Sequence, residues 1–418
     1  MPPTGTTSFP PLVASVHAAN TLQPLTELTD KLKPSRSNKS LIKLSMGDPT
    51  ADGNLVAPKA LSDAMVEVVQ SGDFNGYPPV SGYTESRDIV CQYWSRFCST
   101  DSRKAALKPE TTLLTSGGSH AIVLAITAIA NPGDNILVPA PAFPHYKTVC
   151  DSYGIECRYY PLSPEKNWEC DLAACATLRD DKTKGFLIIN PSNPCGSNYS
   201  RAHVEDIVKF CETAALPLIS DEIYAEVIFG EGEVFTSIAD FDSPVPRLVL
   251  GGTAKHAVTP GWRLGWAILV DTHGVGAEYW KGMDRLAQLM TGSNSITQTA
   301  IARALLHTPE SHLQHLREQL KAGAKCYDRL LERKDLGITF DKPTASMFVM
   351  LQLDFSKFKD IADDMEFYEK LLDEENVQVL PGEIFGVSGF VRATTSRPAE
   401  IVNEAVDRII TFAERHVK

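Results

Sequence analysis

Apolar residues recur along this chain in two periods that alternate with each other. Short apolar runs bounded by turn formers predict strands at 113–115, 136–139, 186–190, 216–220, 248–250 and 264–270. Helical spacing lies between several of them. The stretch SHAIVLAITAIA, 119–130, is apolar almost all round and predicts a buried helix, whereas 203–214 is amphipathic. Alternating strand and helix predicts an α/β fold with a large domain built on a mainly parallel central sheet. After about residue 307 the texture changes. Long charged helical patterns at 311–334, 365–375 and 399–416 are separated by strand-like runs at 347–353, 377–380 and 390–394, which predicts a smaller α+β domain. Residues 1–40 are rich in Pro, Ser and Thr and read as an arm, mobile or packed on a partner. The expected division is an arm at 1–40, the N-terminal part of the small domain at 41–75, the large domain at 76–306 and the small C-terminal domain at 307–418.

Bulk composition narrows the function classes. A chain of 418 residues suits two or three domains at about 150 residues each. A net charge of −12 argues against a general nucleic-acid or anionic-membrane surface. Nine cysteines, an odd number with no C-x-x-C spacing, argue against a disulfide framework and for a reducing compartment. No apolar run reaches the ~18 residues of a membrane span. The opening MPPTGTTSFPPLVASV carries no Lys or Arg and so lacks the basic start of a secretory signal. The expected location is the cytoplasm.

Chemistry is sought beyond the carboxyl ends of the strands, where open α/β sheets gather ligands. The first run leads into SGGSHA and a helix, which reads as an anion seat of backbone amides or as a plain capped turn. The second leads into PAFPHY, where Phe143 suits either stacking on a flat ring or the core. The third leads into PSNPCGS, where Asn193 suits a ligand oxygen or its own loop. The fourth leads into DEIYAEV, which places Asp221 and, three residues on, Tyr224. The fifth leads into GGTAKHAVTPGWRLGW, which puts Lys255 behind two glycines and Arg263 before the next strand. Lysine is costly to bury unless it is paired or used. Each signal has a bland alternative, but one ligand needs the whole set. Pyridoxal 5′-phosphate wants a lysine for its aldehyde, a carboxylate for its ring nitrogen, an arginine with backbone amides for its phosphate, and a stacking ring.

Together SGGSHA, PAFPHY, NPSNPCGS, DEIYAEVIF and GGTAKHAVTPGWRLGW resemble the class I, fold type I aminotransferases, and within them most the tyrosine aminotransferase subgroup. The resemblance runs from about Ile42 to the C-terminus. It implies pyridoxal-phosphate-dependent transamination of an aromatic or related amino acid with a 2-oxo acid by a ping-pong mechanism. It also implies roles. Lys255 is then the lysine joined to the cofactor, Asp221 the partner of the ring nitrogen, Asn193 and Tyr224 the contacts of the phenolic oxygen, and Phe143 the stacking ring. Gly117, Gly118, Ser119 and Arg263 hold the phosphate. Tyr77, in NGYPPVSG, reaches the phosphate of a neighbouring subunit, which implies a homodimer with shared active sites. Arg392, in GFVRATTS, binds the substrate α-carboxylate, and the backbone of Gly47, in LSMGDPT, faces it.

Two segments depart from the usual family pattern. MTGSNSIT, 290–297, lies where relatives build the side-chain pocket and lacks the arginine that dicarboxylate-specific members place there, and PTASMFVM, 343–350, replaces a common glycine-alanine-methionine step beside the same pocket. Three rival readings stand beside this one. The same fold carries β-elimination. GGSHA nearly fits the G-x-S-x-G of a serine hydrolase, with Ser119 as nucleophile. A silent binding protein would keep the fold alone. His312 and His315 have an i,i+3 spacing that fits a metal or, more simply, a solvated helix face. His120 and His145 either line the cofactor cleft or pack as ordinary histidines.

Overall fold

The structure, a computed structural model, describes residues 12–30 and 35–418. The rest of the arm expected at 1–40 lies outside the described residues. The strands are β1 (Ile42–Lys43), β2 (Thr112–Ser116), β3 (Asn135–Ala140), β4 (Glu156–Ser163), β5 (Glu169–Cys170), β6 (Thr183–Ile189), β7 (Leu218–Asp221), β8 (Arg247–Gly252), β9 (Leu264–Val270), β10 (Ile338–Thr339), β11 (Phe348–Leu353), β12 (Val377–Gln378), β13 (Leu380–Pro381) and β14 (Phe390–Thr394).

Eight of these form one sheet in the order β2-β9-β8-β7-β6-β3-β4-β5. The pairings β8-β7, β7-β6, β6-β3 and β3-β4 are parallel, while β9 runs antiparallel to both β2 and β8. Strand periodicity explains how the sheet is covered. Leu137, Phe186, Ile188, Leu218, Val249 and Trp266 face one apolar core. Their neighbours Ile136, Val138, Leu187, Ile219, Leu248 and Ala267 face another. Both faces are buried, so the strands read as continuous apolar runs and not as alternating ones. The helix Gly117–Thr127 packs Ala121, Ile122, Leu124, Ala125 and Ile126 into the second core, while Ser119, His120, Val123 and Thr127 stay partly exposed, so it is buried on one side and not all round.

Four short strands form a second sheet in the order β10-β11-β14-β13. A third core covers it, with Phe367, Leu371, Val402, Ile409 and Phe412 from the helices Asp364–Glu375 and Ala399–His416. Ile42 and Leu44 join this core, whereas Leu61, Ala64 and Val68 of the helix Lys59–Ser71 join the core of the large sheet. The apolar run at 377–380 is two strands: β12 pairs with β1, and β13 pairs with β14 in the four-stranded sheet. The helical pattern at 311–334 resolves into Glu310–Cys326 and Asp328–Leu331, parted at Tyr327, whose buried hydroxyl donates to the Thr394 carbonyl. The arm carries two short helices, Val16–Asn20 and Pro24–Asp30. The first docks on the helix His145–Tyr153, where His17 hydrogen-bonds the Ser152 carbonyl at 2.9 Å. Among the described residues no helix is long and apolar enough to cross a membrane.

Candidate active site

Topology brings the singled-out residues together. Strands β3, β6, β7 and β8 are parallel, so the segments after them leave the sheet at one edge. Because β9 runs the other way, its first residue, Leu264, pairs with Ser116 at the end of β2. Arg263, just before β9, therefore reaches the same edge. A cavity of about 520 Å³ opens there, and its lining includes Gly118, Ser119, Phe143, Asn193, Asp221, Tyr224, Lys255 and Arg263. The smaller sheet contributes Arg392, and the segment after β1 contributes Gly47 and Asp48.

Lys255 sits in a loop that is braced from both sides. Thr259 Oγ1 donates to the Thr253 carbonyl at 3.1 Å, so the residues bracketing the lysine are tied. His312 Nε2 donates to the carbonyl of His256, the next residue, at 2.7 Å. The Lys255 ammonium donates to the Gly47 carbonyl at 2.6 Å. Burial lowers its pKa from 10.5 to about 8; Asp48 and Asp221 oppose the fall, while Arg392 and Arg263 add to it. A half-buried amine with this pKa is available as a neutral base near physiological pH.

Asp221 ends β7 and is 6% exposed. Burial pushes its carboxyl up to about 6, and hydrogen bonds from Tyr146 and the Ile223 amide hold it below what burial alone would give. The Tyr146 hydroxyl donates to Oδ2 at 2.9 Å and the Ile223 amide to Oδ1 at 3.2 Å. Both oxygens are therefore oriented before any ligand arrives. Tyr146 was not singled out in the sequence. The signal for it was its position three residues after Phe143, which puts both rings near one helix start, 5.9 Å apart and perpendicular.

The anion seat is built from close backbone approaches. Gly117 has φ +78°, and a Cβ there would lie 2.5 Å from an Arg263 guanidinium nitrogen. The guanidinium thus lies directly over the first turn of the helix Gly117–Thr127, whose first amides have no intrahelical acceptor. Gly265 leaves room for this turn, since a Cβ on it would lie 2.5 Å from the Gly118 nitrogen. Arg263 itself is exposed and hydrogen-bonds the Pro260 and Ser116 carbonyls at 3.0 and 3.3 Å. A cation, free amides and a missing Cβ in one place fit a phosphate.

Arg392 is 3% exposed, and burial pulls its pKa down to about 9. It donates to Asn193 Oδ1 at 3.0 Å and to the Ser45 carbonyl at 2.6 Å. Its Nε is buried without a partner. An orphaned, charged donor on a cavity wall fits a ligand carboxylate. The donor set therefore fits pyridoxal 5′-phosphate together with a carboxylate-bearing substrate: amine, oriented carboxylate, anion seat and second cation.

Other residues lie elsewhere. Tyr77 is 88% exposed and does not line this cavity in its own chain. The segment 290–297 also stands outside it; Gly292 packs beside Pro78 and Pro79, and Asn294 caps the helix Ser295–Ala304. His120 and His145 line a neighbouring hollow of about 370 Å³. His145 Nε2 donates to the Ser119 backbone carbonyl, not to its hydroxyl. His312 and His315 each hydrogen-bond a backbone carbonyl, of His256 and Asn54. A larger open cleft, about 760 Å³, is lined by Arg96, Arg201, Glu226, Asp240 and Arg317. There Arg96 and Arg317 pair with Glu226, and Arg201 pairs with Asp240, so its charges are satisfied within it. Leu25 and Thr26 of the arm reach the mouth of the Lys255 cavity, a contribution no sequence motif announced.

Comparison with known proteins places these features in context. Residues 39–409 match the family Aminotransferase class I and II. A tyrosine aminotransferase of Bos taurus is 38% identical over 400 residues, covering 95% of this chain and 87% of the relative. The crystal structure of a tyrosine aminotransferase from Leishmania infantum superposes with a TM-score of 0.97 at 62% identity, covering 98% of this chain and all of that one (100%). An S-alkyl-thiohydroximate lyase of Arabidopsis thaliana is 33% identical over 384 residues, covering 91% of this chain and 82% of the relative.

Proposed function

The chain belongs to the aminotransferase class I and II family, and on that premise we propose that it transfers the amino group of an aromatic, tyrosine-like amino acid to a 2-oxo acid, using pyridoxal 5′-phosphate held at Lys255. The observation that carries the reading is the convergence of Lys255, Asp221 and Arg392 on one cavity, with Arg392 Nε buried and unpartnered. When bound, the cofactor supplies an aldehyde that takes the amino group and a ring that accepts the electrons released at the substrate Cα.

The protein does the rest. Arg392 takes the substrate carboxylate on its guanidinium, with the Gly47 backbone beside it. Lys255, kept easy to deprotonate by burial, would take the Cα proton and deliver it across the nitrogen to the carbon of the cofactor's aldehyde group. Asp221, fixed by Tyr146, holds the ring nitrogen protonated. Asn193 and Tyr224 would hold the phenolic oxygen, Phe143 would stack on the ring, and Gly117, Gly118, Ser119 and Arg263 would take the phosphate. The two half-reactions then run in ping-pong order. Tyr77, exposed here, contributes to the phosphate seat of a second copy, so the working unit is a homodimer. Residues 76–306 carry the cofactor groups, while 307–418, with 41–75, bring Arg392 and Gly47. Nine unpaired cysteines support a reducing compartment, and we place the protein in the cytoplasm.

The substrate preference rests on the cavity wall. Ile122, Phe143, Ile189, Ile223, Phe348 and Leu380 make it largely apolar. Its two arginines are occupied in this reading, one by phosphate and one by the α-carboxylate, so this chain offers none to a side-chain carboxylate. Steady-state kinetics with tyrosine, phenylalanine and aspartate as donors test this. Tyrosine and phenylalanine are expected to exceed aspartate in kcat/KM; a preference for aspartate would overturn the assignment. The lyase among the relatives keeps β-elimination as a second reading, which free ammonia released from a cysteine-S-conjugate would favour.

A further inference from the structure

Arg392 carries a charge with no acidic partner. No ion pair to it is present among the described residues, and its hydrogen bonds go to an amide oxygen and a backbone carbonyl. A buried, unpaired cation is expensive, so something else must stabilise it. Two aromatic rings do. The guanidinium carbon lies 4.1 Å from the ring centroid of Phe348 and 4.7 Å from that of Phe385. Both phenylalanines are buried, at 1% and 2% exposure. An acidic partner would neutralise the arginine and occupy its edge donors. A ring face attracts the cation and leaves those in-plane donors free.

The two rings are themselves fixed by the elements that bound the site. Phe348 opens β11, and its Cζ would lie 2.7 Å from a Cβ on Gly47, so the Gly47 backbone rests on the ring edge. It also meets the Tyr224 ring edge-on at 6.1 Å. Phe385 closes the turn Gly382–Phe385, and its carbonyl accepts from the Ala142 amide at 2.9 Å, next to Phe143. We propose that Phe348 and Phe385 are positioning residues for the substrate α-carboxylate, holding the Arg392 guanidinium charged and oriented before substrate arrives. Burial lowers the arginine pKa; a ring face attracts the cation and so favours its charged form.

The inference rests on Arg392 being the carboxylate site. The experiment incorporates phenylalanines of increasing ring fluorination at 348, and separately at 385, in the holoenzyme. Shape is kept while the negative ring face is weakened. KM for tyrosine and for the 2-oxo acid is expected to rise together and stepwise, reaching on the order of tenfold. The dissociation constant of 3-phenylpropionate, a carboxylate without an amine, is expected to follow, with kcat and the visible spectrum of the holoenzyme unchanged. KM values flat across both series would overturn the positioning role. Arg392→Ala is measured in parallel to separate the two failures. If KM rises there while both fluorinated series stay flat, only the role of the rings falls. If KM is unchanged there, the carboxylate role of Arg392 falls and takes this inference with it.

Discussion

Replacing Lys255 with methionine is expected to abolish activity and, at the same time, to stabilise the cofactor-free protein. Methionine nearly matches lysine in length and carries no charge to desolvate. The wild-type amine titrates at about 8 instead of its ordinary 10.5. At 1.36 kcal/mol per unit, that fall corresponds to about 3 kcal/mol, which water in the open cavity reduces to roughly 2 kcal/mol. The sign follows from proton binding. Below about pH 8 both the folded and unfolded wild-type chains are protonated, and the full penalty is present. Between about 8 and 10.5 the unfolded chain binds more protons, so wild-type stability rises with pH; above 10.5 the penalty has gone. Urea unfolding of both cofactor-free proteins across this range is the assay. The Lys255→Met protein should be more stable by roughly 2 kcal/mol at pH 7, with the gap closing towards pH 10.5. Adding pyridoxal phosphate should reverse the order, because the wild type gains more from ligand binding. A gap that does not change with pH, or a wild type that is the more stable at pH 7, would refute the depressed lysine and the base role built on it.

Two further substitutions probe the groups around that lysine. Tyr146→Phe removes the 2.9 Å hydrogen bond that holds the Asp221 carboxylate. A buried bond to a charged acceptor is worth about 1.5–3 kcal/mol, so the Asp221 pKa should climb from about 6 by one or two units. The charged form then needs a higher pH, and the acid limb of kcat/KM should move up; an acid limb in its wild-type place would show that Tyr146 does not act through Asp221. Gly265→Ala puts a methyl group 2.5 Å from the Gly118 nitrogen and should displace the anion seat. Overpacking of this kind costs about 1–3 kcal/mol, so spectroscopic titration should give a cofactor Kd roughly ten- to a hundredfold weaker, and an unchanged Kd would remove the phosphate from this turn.

How much of this was legible in the sequence depends on how local the signal was. The large sheet was readable because its strands are buried on both faces, which leaves short apolar runs such as LGWAILV, and because the groups that serve the cavity follow those runs directly. Lys255, Asp221, Asn193 and Phe143 could therefore be located, and the structure sets them on one cavity. Strand β4 was missed because ECRYYPLS mixes charge, aromatic rings and a proline, and only pairing with β3 organises it. Tyr146 and Phe385 went unmarked, and Phe348 was marked only as part of the pocket segment PTASMFVM, for a related reason. Each looks like an ordinary buried aromatic, and its significance lies in contacts with residues 44 or more positions away or, for Phe385, with an arginine on the adjoining strand. The arm composition, rich in Pro and Ser, concealed two helices that form where His17 and Leu28 find partners on the folded body.

The central claim is that one amine, Lys255, is joined to pyridoxal phosphate in the resting enzyme. Borohydride reduction of the purified holoenzyme, followed by proteolysis and mass mapping, tests it directly. The account predicts a reduced phosphopyridoxyl group on the peptide containing Lys255, with loss of visible absorbance and of transamination in parallel. A peptide of unmodified mass at Lys255, after saturation with the cofactor and complete reduction, would contradict it.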